Sequence, residues 1–201
     1  MNISQTIFAS SLGYVPSGTP AEAPEIFSFD GISSTGRTCI DFTDSYTGAI
    51  AKTYCGYSLD TSVSWEQAFN FAKLLKGYLA TITSTEEWEA IKTNLIDNSG
   101  TSYNMNTSIW IGYNKVNFSG NLTEFTWITG EKSKVNWGID NQTEEYFDGG
   151  EPNNQGGNEG CVHVKHSNLG SDRRWNDITC ESAGGTGWSA PWRHLIIEFH
   201  Q

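Results

Sequence analysis

The chain is short of positive charge. Its 201 residues hold 12 Lys and Arg against 23 Asp and Glu, a formal net charge of -11, and a surface of that sign repels phosphate backbones and anionic lipid alike. Nucleic acid is therefore not an expected partner. No apolar run approaches the length that spans a bilayer, so membrane insertion is not expected either. The N-terminus "MNISQTIFASSLGY" has no basic region followed by a long apolar one, and no export signal is read there. The 4 cysteines, Cys39, Cys55, Cys161 and Cys180, form no CxxC knuckle of the kind zinc uses. Falling as two near pairs, they read as two disulfides and an oxidising compartment, the alternative being four buried thiols in a reducing one.

What is present is a large aromatic complement, 13% of residues with 8 Trp, set among Ser, Thr, Asn and Gly. That suffices for one well-buried domain. Residues 1–35 carry three of the 5 prolines and the small-residue stretch "SGTPAEAP", and read as an arm or linker in which "IFSFDGI" supplies one strand. The domain proper is expected over 36–201. Within it, Ser64 and Gln67 form a capping pair ahead of "WEQAFNFAKLLKG", with Trp65, Phe69, Ala72 and Leu75 or Lys76 at helical spacing and Gly77 as the stop. The run "YLATI" reads as a strand. A second helix follows, with Ser84 and Glu87 as its capping box and Trp88, Ile91 and Leu95 on one face. Beyond Asn98 the period changes to short β-rich runs, "SIWIGY", "FTWIT", "CVHVKH" and "HLIIEF", separated by Gly, Asn and Asp. The class is α+β.

The segment from about Val135 to Gly160 is long, polar and aperiodic, which is uncommon for a loop without a function. It ends in "EPNNQGGNEGC", where Glu151, Asn153 and Glu159 offer oxygen ligands with few basic side chains nearby. Converging carboxylates need a counter-charge. A calcium ion meets that need best, because it takes six to eight oxygens in irregular geometry and accepts amide oxygens beside carboxylates. Asn176 and Asp177 in "RWNDITC" form a second polar pair, and a Cys161–Cys180 disulfide would bring the two clusters together. A cis bond is expected before Pro152, since it would turn Glu151 and Asn153 to one side.

These residues match a known family. With "EPN", Glu159 and Cys161, "WND" and Cys180, and upstream "SWEQAFNFAK", "GYLATITS" and "WIGY" in order, the chain resembles a C-type lectin domain over about residues 52–200. The resemblance implies two helices on small antiparallel sheets, adjacent N- and C-terminal strands, and a long loop folded over calcium. It implies that Glu151, Asn153, Glu159, Asn176 and Asp177 coordinate the ion, Asp177 through its backbone carbonyl as well as its carboxylate. Two neighbouring sugar hydroxyls would complete the shell, with no catalysis. In the family "EPN" accompanies mannose, fucose, glucose or N-acetylglucosamine ligands, and Gln155 and Ile178 are expected beside the sugar ring. The alternative from another class is a lectin-like domain that binds a protein or ice surface with structural calcium only. Cys39 and Cys55 resemble the N-terminal hairpin disulfide of longer members.

Several features depart from the family pattern or admit plainer readings. Ala72 and Ile197 stand where a further disulfide is expected, both halves being absent together. An insertion carries Asp140, Glu144, Glu145 and Asp148, which would suit further calcium, while Asn154 and Gly160 replace carboxylates of an auxiliary site. Trp192, with Trp188, is read as cover for a strand, and Trp65, Trp88, Trp110, Trp127 and Trp175 as core. His163 and His166 are not read as a metal pair, because their spacing in a strand points them to opposite faces. The sequons at Asn2, Asn106, Asn117, Asn121 and Asn141 are assigned no glycan. Acidic composition and a polar arm lead to the expectation of an extracellular or cell-surface domain, part of a larger multidomain adhesin that binds glycans.

Overall fold

The computed structural model describes residues 18–20, 22–43, 48, 50–98, 105–115, 125–129, 146–165, 173–182 and 192–200. Residues 1–17, Asp140, Glu144, Glu145, His166, Trp188 and the sequons at Asn2, Asn117, Asn121 and Asn141 lie outside them.

The N-terminal hairpin pairs β1 (Ser28–Phe29) with β2 (Ile32–Thr43), and β2 with β3 (Ile50–Leu59). Asp30 and Gly31 make the first turn at φ 51° and 77°, the two positive angles that a tight hairpin needs. The strand expected in "IFSFDGI" is β1, with β2 beginning at the last residue of that stretch, and the expected boundary at residues 35 and 36 falls inside β2. Part of the segment read as an arm packs as core: Ala23 and Ile32 are buried with Phe71 and Leu75, and the Arg37 guanidinium donates to the Pro20 carbonyl at 2.8 Å. Small residues here allow close approach, a property that composition alone does not distinguish from a linker's. The Cys39–Cys55 disulfide joins residues directly opposite in β2 and β3.

Helix α1 (Trp65–Leu74) starts in a complete capping box, with Ser64 Oγ accepting from Gln67 N at 3.2 Å and Gln67 Oε1 from Ser64 N at 2.9 Å. Such a cap contributes about 1 kcal/mol. The helix ends differently from expectation. Lys76 takes the left-handed turn at φ 61°, and Gly77 is needed for space, since a Cβ there would lie 2.4 Å from Ile197 Cγ2. Gly77 leads into β4 (Tyr78–Leu79), which pairs with the last strand, β9 (His194–His200).

Helix α2 (Thr85–Ile91) continues into a π-turn at Lys92–Ile96, whose wider winding buries both Leu95 and Ile96. Only half of its expected capping box forms. Ser84 Oγ accepts from Glu87 N at 3.2 Å, but the Glu87 carboxylate accepts from Thr83 N at 2.6 Å, Thr83 Oγ1 at 2.9 Å and Tyr54 at 3.2 Å, and pairs with Lys52 at 3.2 Å. One oxygen of Glu87 is thus taken by Thr83, just before the cap, and the other by Tyr54 and by Lys52 on β3, beyond any local pattern.

The remaining strands are β5 (Ile109–Asn114), β6 (Thr126–Trp127), β7 (Cys161–Val164) and β8 (Trp175–Ile178). Among the described residues the strands join in one network ordered β1-β2-β3-β9-β5-β7-β8, antiparallel throughout except that β5 and β9 run parallel. β9 divides the core by its alternation: Leu195, Ile197 and Phe199 face the cluster of α1 with Trp65, Phe69 and Trp110, while Ile196 faces that of α2 with Trp88, Trp127 and Trp175. Ala72 and Ile197, where a disulfide is missing, both lie in the first cluster. Trp192 is buried as strand cover, its ring 4.5 Å from that of Trp110.

Replacing Gly77 by Ala is expected to cost about 1–3 kcal/mol, the range for overpacking against a close-packed strand. Urea denaturation of the two proteins measures it.

Candidate functional site

The site is built on two strands and one crossing loop. β7 and β8 are antiparallel, with Cys161 opposite Ile178, Val162 opposite Asp177 and His163 opposite Asn176. The Cys161–Cys180 disulfide closes their ends, so the "EPN" and "WND" residues are drawn together. Period-two alternation points Trp175 and Asp177 inward, both at 0% exposure, and leaves Asn176 and Ile178 half-buried.

The loop is anchored before it reaches the site. Asp148 N donates to Trp175 O at 2.9 Å, and Glu151 N to Asp148 O at 2.9 Å. The Asp148 carboxylate is bound by Lys165 Nζ and accepts from Gly149 N at 3.0 Å, and the hydrogen bond from Lys165 holds its pKa low. Asp148, expected among residues suited to further calcium, is instead half of an ion pair. The Glu151–Pro152 peptide is cis. Asp177 then receives the chain, its Oδ1 accepting from Asn153 N at 3.0 Å and its Oδ2 from Asn154 N at 2.9 Å.

Asn154 turns left-handed at φ 48° and its Oδ1 accepts from Glu159 N at 3.1 Å. Gln155 N donates both to Asn153 Oδ1 at 2.8 Å and to Glu159 Oε2 at 2.6 Å. Asn153, Glu159 and Asp177 are thus tied through backbone amides. Asn176 Nδ2 donates to the Asp177 carbonyl at 2.6 Å. Gln155 is exposed, and Ile178 packs against the core with its inner part.

Glu151 is the unsatisfied member. Its Oε2 is buried without a hydrogen-bond partner, and burial, then the neighbouring Asp177 carboxylate, push its pKa up. Burial likewise raises Glu159, opposed by its hydrogen bond from Gln155 N and by Lys115. All the candidate donors are hard oxygens, three carboxylates and two amides. Among the described residues no three His, Cys, Asp or Glu side chains converge as a metal cluster on their own.

Sequence reasoning missed Lys115. Basic groups are scarce along the chain near the loop, but in space Lys115 Nζ stands 3.8 Å from Asp177 Oδ2 and is 6% exposed. It follows β5, and nothing within its own segment signals a partner on β8. Asn154 was likewise read for the carboxylate it replaces, whereas its side chain staples the loop.

Comparison with known proteins decides the family. Residues 61–185 match the model of the lectin C-type domain, well over half of the chain. The chain belongs to the C-type lectin domain family. That family is a carbohydrate-binding fold, without an enzymatic activity. This C-type lectin domain is 29% identical over 125 residues to L-selectin of Rattus norvegicus, an alignment covering 60% of this chain and 28% of that protein. The fold resembles the carbohydrate-recognition domains of the human and mouse scavenger receptor C-type lectins, with TM-scores of 0.52 and 0.51 at 21% identity, covering 81% of this chain and 96% and 94% of theirs. It also resembles the cow CD23 domain, solved in the presence of a GlcNAc2Man3 oligosaccharide, with a TM-score of 0.50 at 20% identity, covering 81% and 98%. No helix among the described residues of this lectin domain is long and apolar enough to cross a membrane.

A raised carboxylate pKa gives stability at low pH that is lost as pH rises through it. In metal-free solution Glu151→Gln is therefore expected to melt higher than the parent at pH 7, with the difference vanishing below about pH 4. Calorimetric melting across pH in chelator checks the sign.

Proposed function

We propose that this domain binds glycans through a calcium ion held by Glu151, Asn153, Glu159, Asn176 and Asp177. The observation that carries the reading is the buried, unpartnered Glu151 Oε2 beside the Asp177 carboxylate. The two carboxylates share only the Asn153 N–H between them, and one Glu151 oxygen is left without a donor, an arrangement that a cation would relieve. Calcium suits a set of carboxylate and amide oxygens, which zinc or a soft metal would not prefer. Asn176 fits as well: a half-turn of its amide exchanges donor for acceptor and sets its oxygen beside the Asp177 carbonyl that it now bonds.

Calcium bound there would offer its open positions to two neighbouring hydroxyls of a sugar. Each hydroxyl would donate to a carboxylate and accept from an amide, so the order of Glu151 and Asn153 selects the diol geometry of mannose, fucose or glucose type sugars. Gln155, exposed on the loop, and the outer part of Ile178 would flank the ring. An extracellular or cell-surface setting follows from the two disulfides. Repetition within a larger adhesin would raise a weak single-site affinity through multivalency.

Two outcomes test this. On a glycan array, binding to mannose or fucose glycans is expected in calcium, lost in chelator, and lost or redirected by the Glu151→Gln, Asn153→Asp exchange. Retention in excess chelator would overturn the metal's role, and no binding under any condition would favour a protein or ice surface as ligand. Binding should also weaken with acid from above the ordinary carboxylate range, because protons compete with calcium for Glu151 and Glu159, both raised. A titration of calcium affinity against pH reads this directly.

A further inference from the structure

Lys115 grips the loop at two points. Its backbone N donates to Gly160 O at 2.7 Å, and its ammonium lies 3.8 Å from Asp177 Oδ2 and 4.2 Å above the centroid of the Phe125 ring. At 6% exposure for Lys115 and 0% for Asp177, neither charge is well hydrated, so each is costly without the other. Asp177 in turn accepts the backbone N–H groups of Asn153 and Asn154 through its two oxygens. The shape of the "EPN" turn is therefore tied to a carboxylate whose facing positive charge comes from the protein.

We infer that Lys115 is a positioning residue: its ammonium is a resident cation that holds Asp177, and through it the turn at Asn153 and Asn154, in ligand-ready form before a divalent ion arrives. The inference rests on the calcium reading of the loop for its purpose, but the positioning itself is a property of the metal-free protein. Charge counting agrees. The carboxylates of Glu151, Glu159 and Asp177 less the one ammonium of Lys115 leave two negative charges, the complement of one divalent ion. Division of labour follows, with Asp177 serving the loop's shape on the Lys115 side and Glu151 keeping one oxygen unpartnered for the incoming ion.

Amide hydrogen exchange of the full chain tests this, in chelator and in calcium, for the parent, Lys115→Met and Lys115→Arg. In chelator the Asn153 and Asn154 amides of the parent are expected to be protected. Lys115→Met should speed their exchange about tenfold, the scale of losing a charge-assisted contact, while the Leu195 and Ile197 amides of β9 keep theirs. Lys115→Arg should retain protection. Calcium should restore it in Lys115→Met, with an affinity about tenfold weaker than the parent's by calorimetry. Unchanged protection in metal-free Lys115→Met, or tighter calcium binding by it, would overturn the inference. Should Lys115→Met unfold β9 as well, Lys115→Arg decides: retained protection supports the role and lost protection overturns it. A parent that binds no calcium would defeat the proposed function, and the exchange in chelator would still settle Lys115.

Discussion

The carboxylate of Asp177 carries the functional end of the molecule. It sits at 0% exposure on β8, where an ionised group without partners would cost several kcal/mol. Two backbone amides from the crossing loop and the Lys115 ammonium meet that cost. The loop between Asp148 and Gly160 has little apolar surface with which to fold, so its shape comes from what a buried acid demands. Polar groups here do the organising that side-chain packing does elsewhere.

That demand can be imposed because β8 is itself rigidly placed. β7 fixes its register, the Cys161–Cys180 disulfide closes the end, and Trp175 is locked among the rings of Trp88, Trp127 and Tyr146. Beyond β7 and β5 in the network, β9 is buried on both faces and connects the two halves of the core. A second buried ionic group joins α2, β3 and β9. Lys52 lies 3.2 Å from Glu87 and 3.3 Å from Glu198, and Glu198 accepts from Thr81 N at 2.8 Å. It binds α2 to the central strands as Asp177 binds the loop.

Legibility divided along the range of the interactions. Helix starts were readable because Ser64 and Gln67 satisfy each other within one turn. The same reasoning misjudged Glu87, whose carboxylate meets Thr83 rather than Ser84 and also reaches Lys52 on another strand. It also assigned Gly77 to stopping a helix when the residue is demanded by the approach of Ile197. The tryptophans were readable as core from size and periodicity, but not which of the two clusters each would join. Asp148 illustrates the limit at the site: an acid in an acidic insertion suggested a ligand, and only the fold revealed Lys165 beside it.

From the sequence alone came the α+β class, the helix caps, the lectin resemblance and the pool of oxygen donors, since each depends on residue type and short spacing. Tertiary structure decided which donors are already committed and which remain to be met. Asp177 is occupied by backbone amides and Lys115, Asp148 by Lys165, and Glu151 is left with a buried oxygen unpaired. The physical reason is that burial and charge pairing are properties of neighbours in space, and the neighbours that matter most here are far apart along the chain.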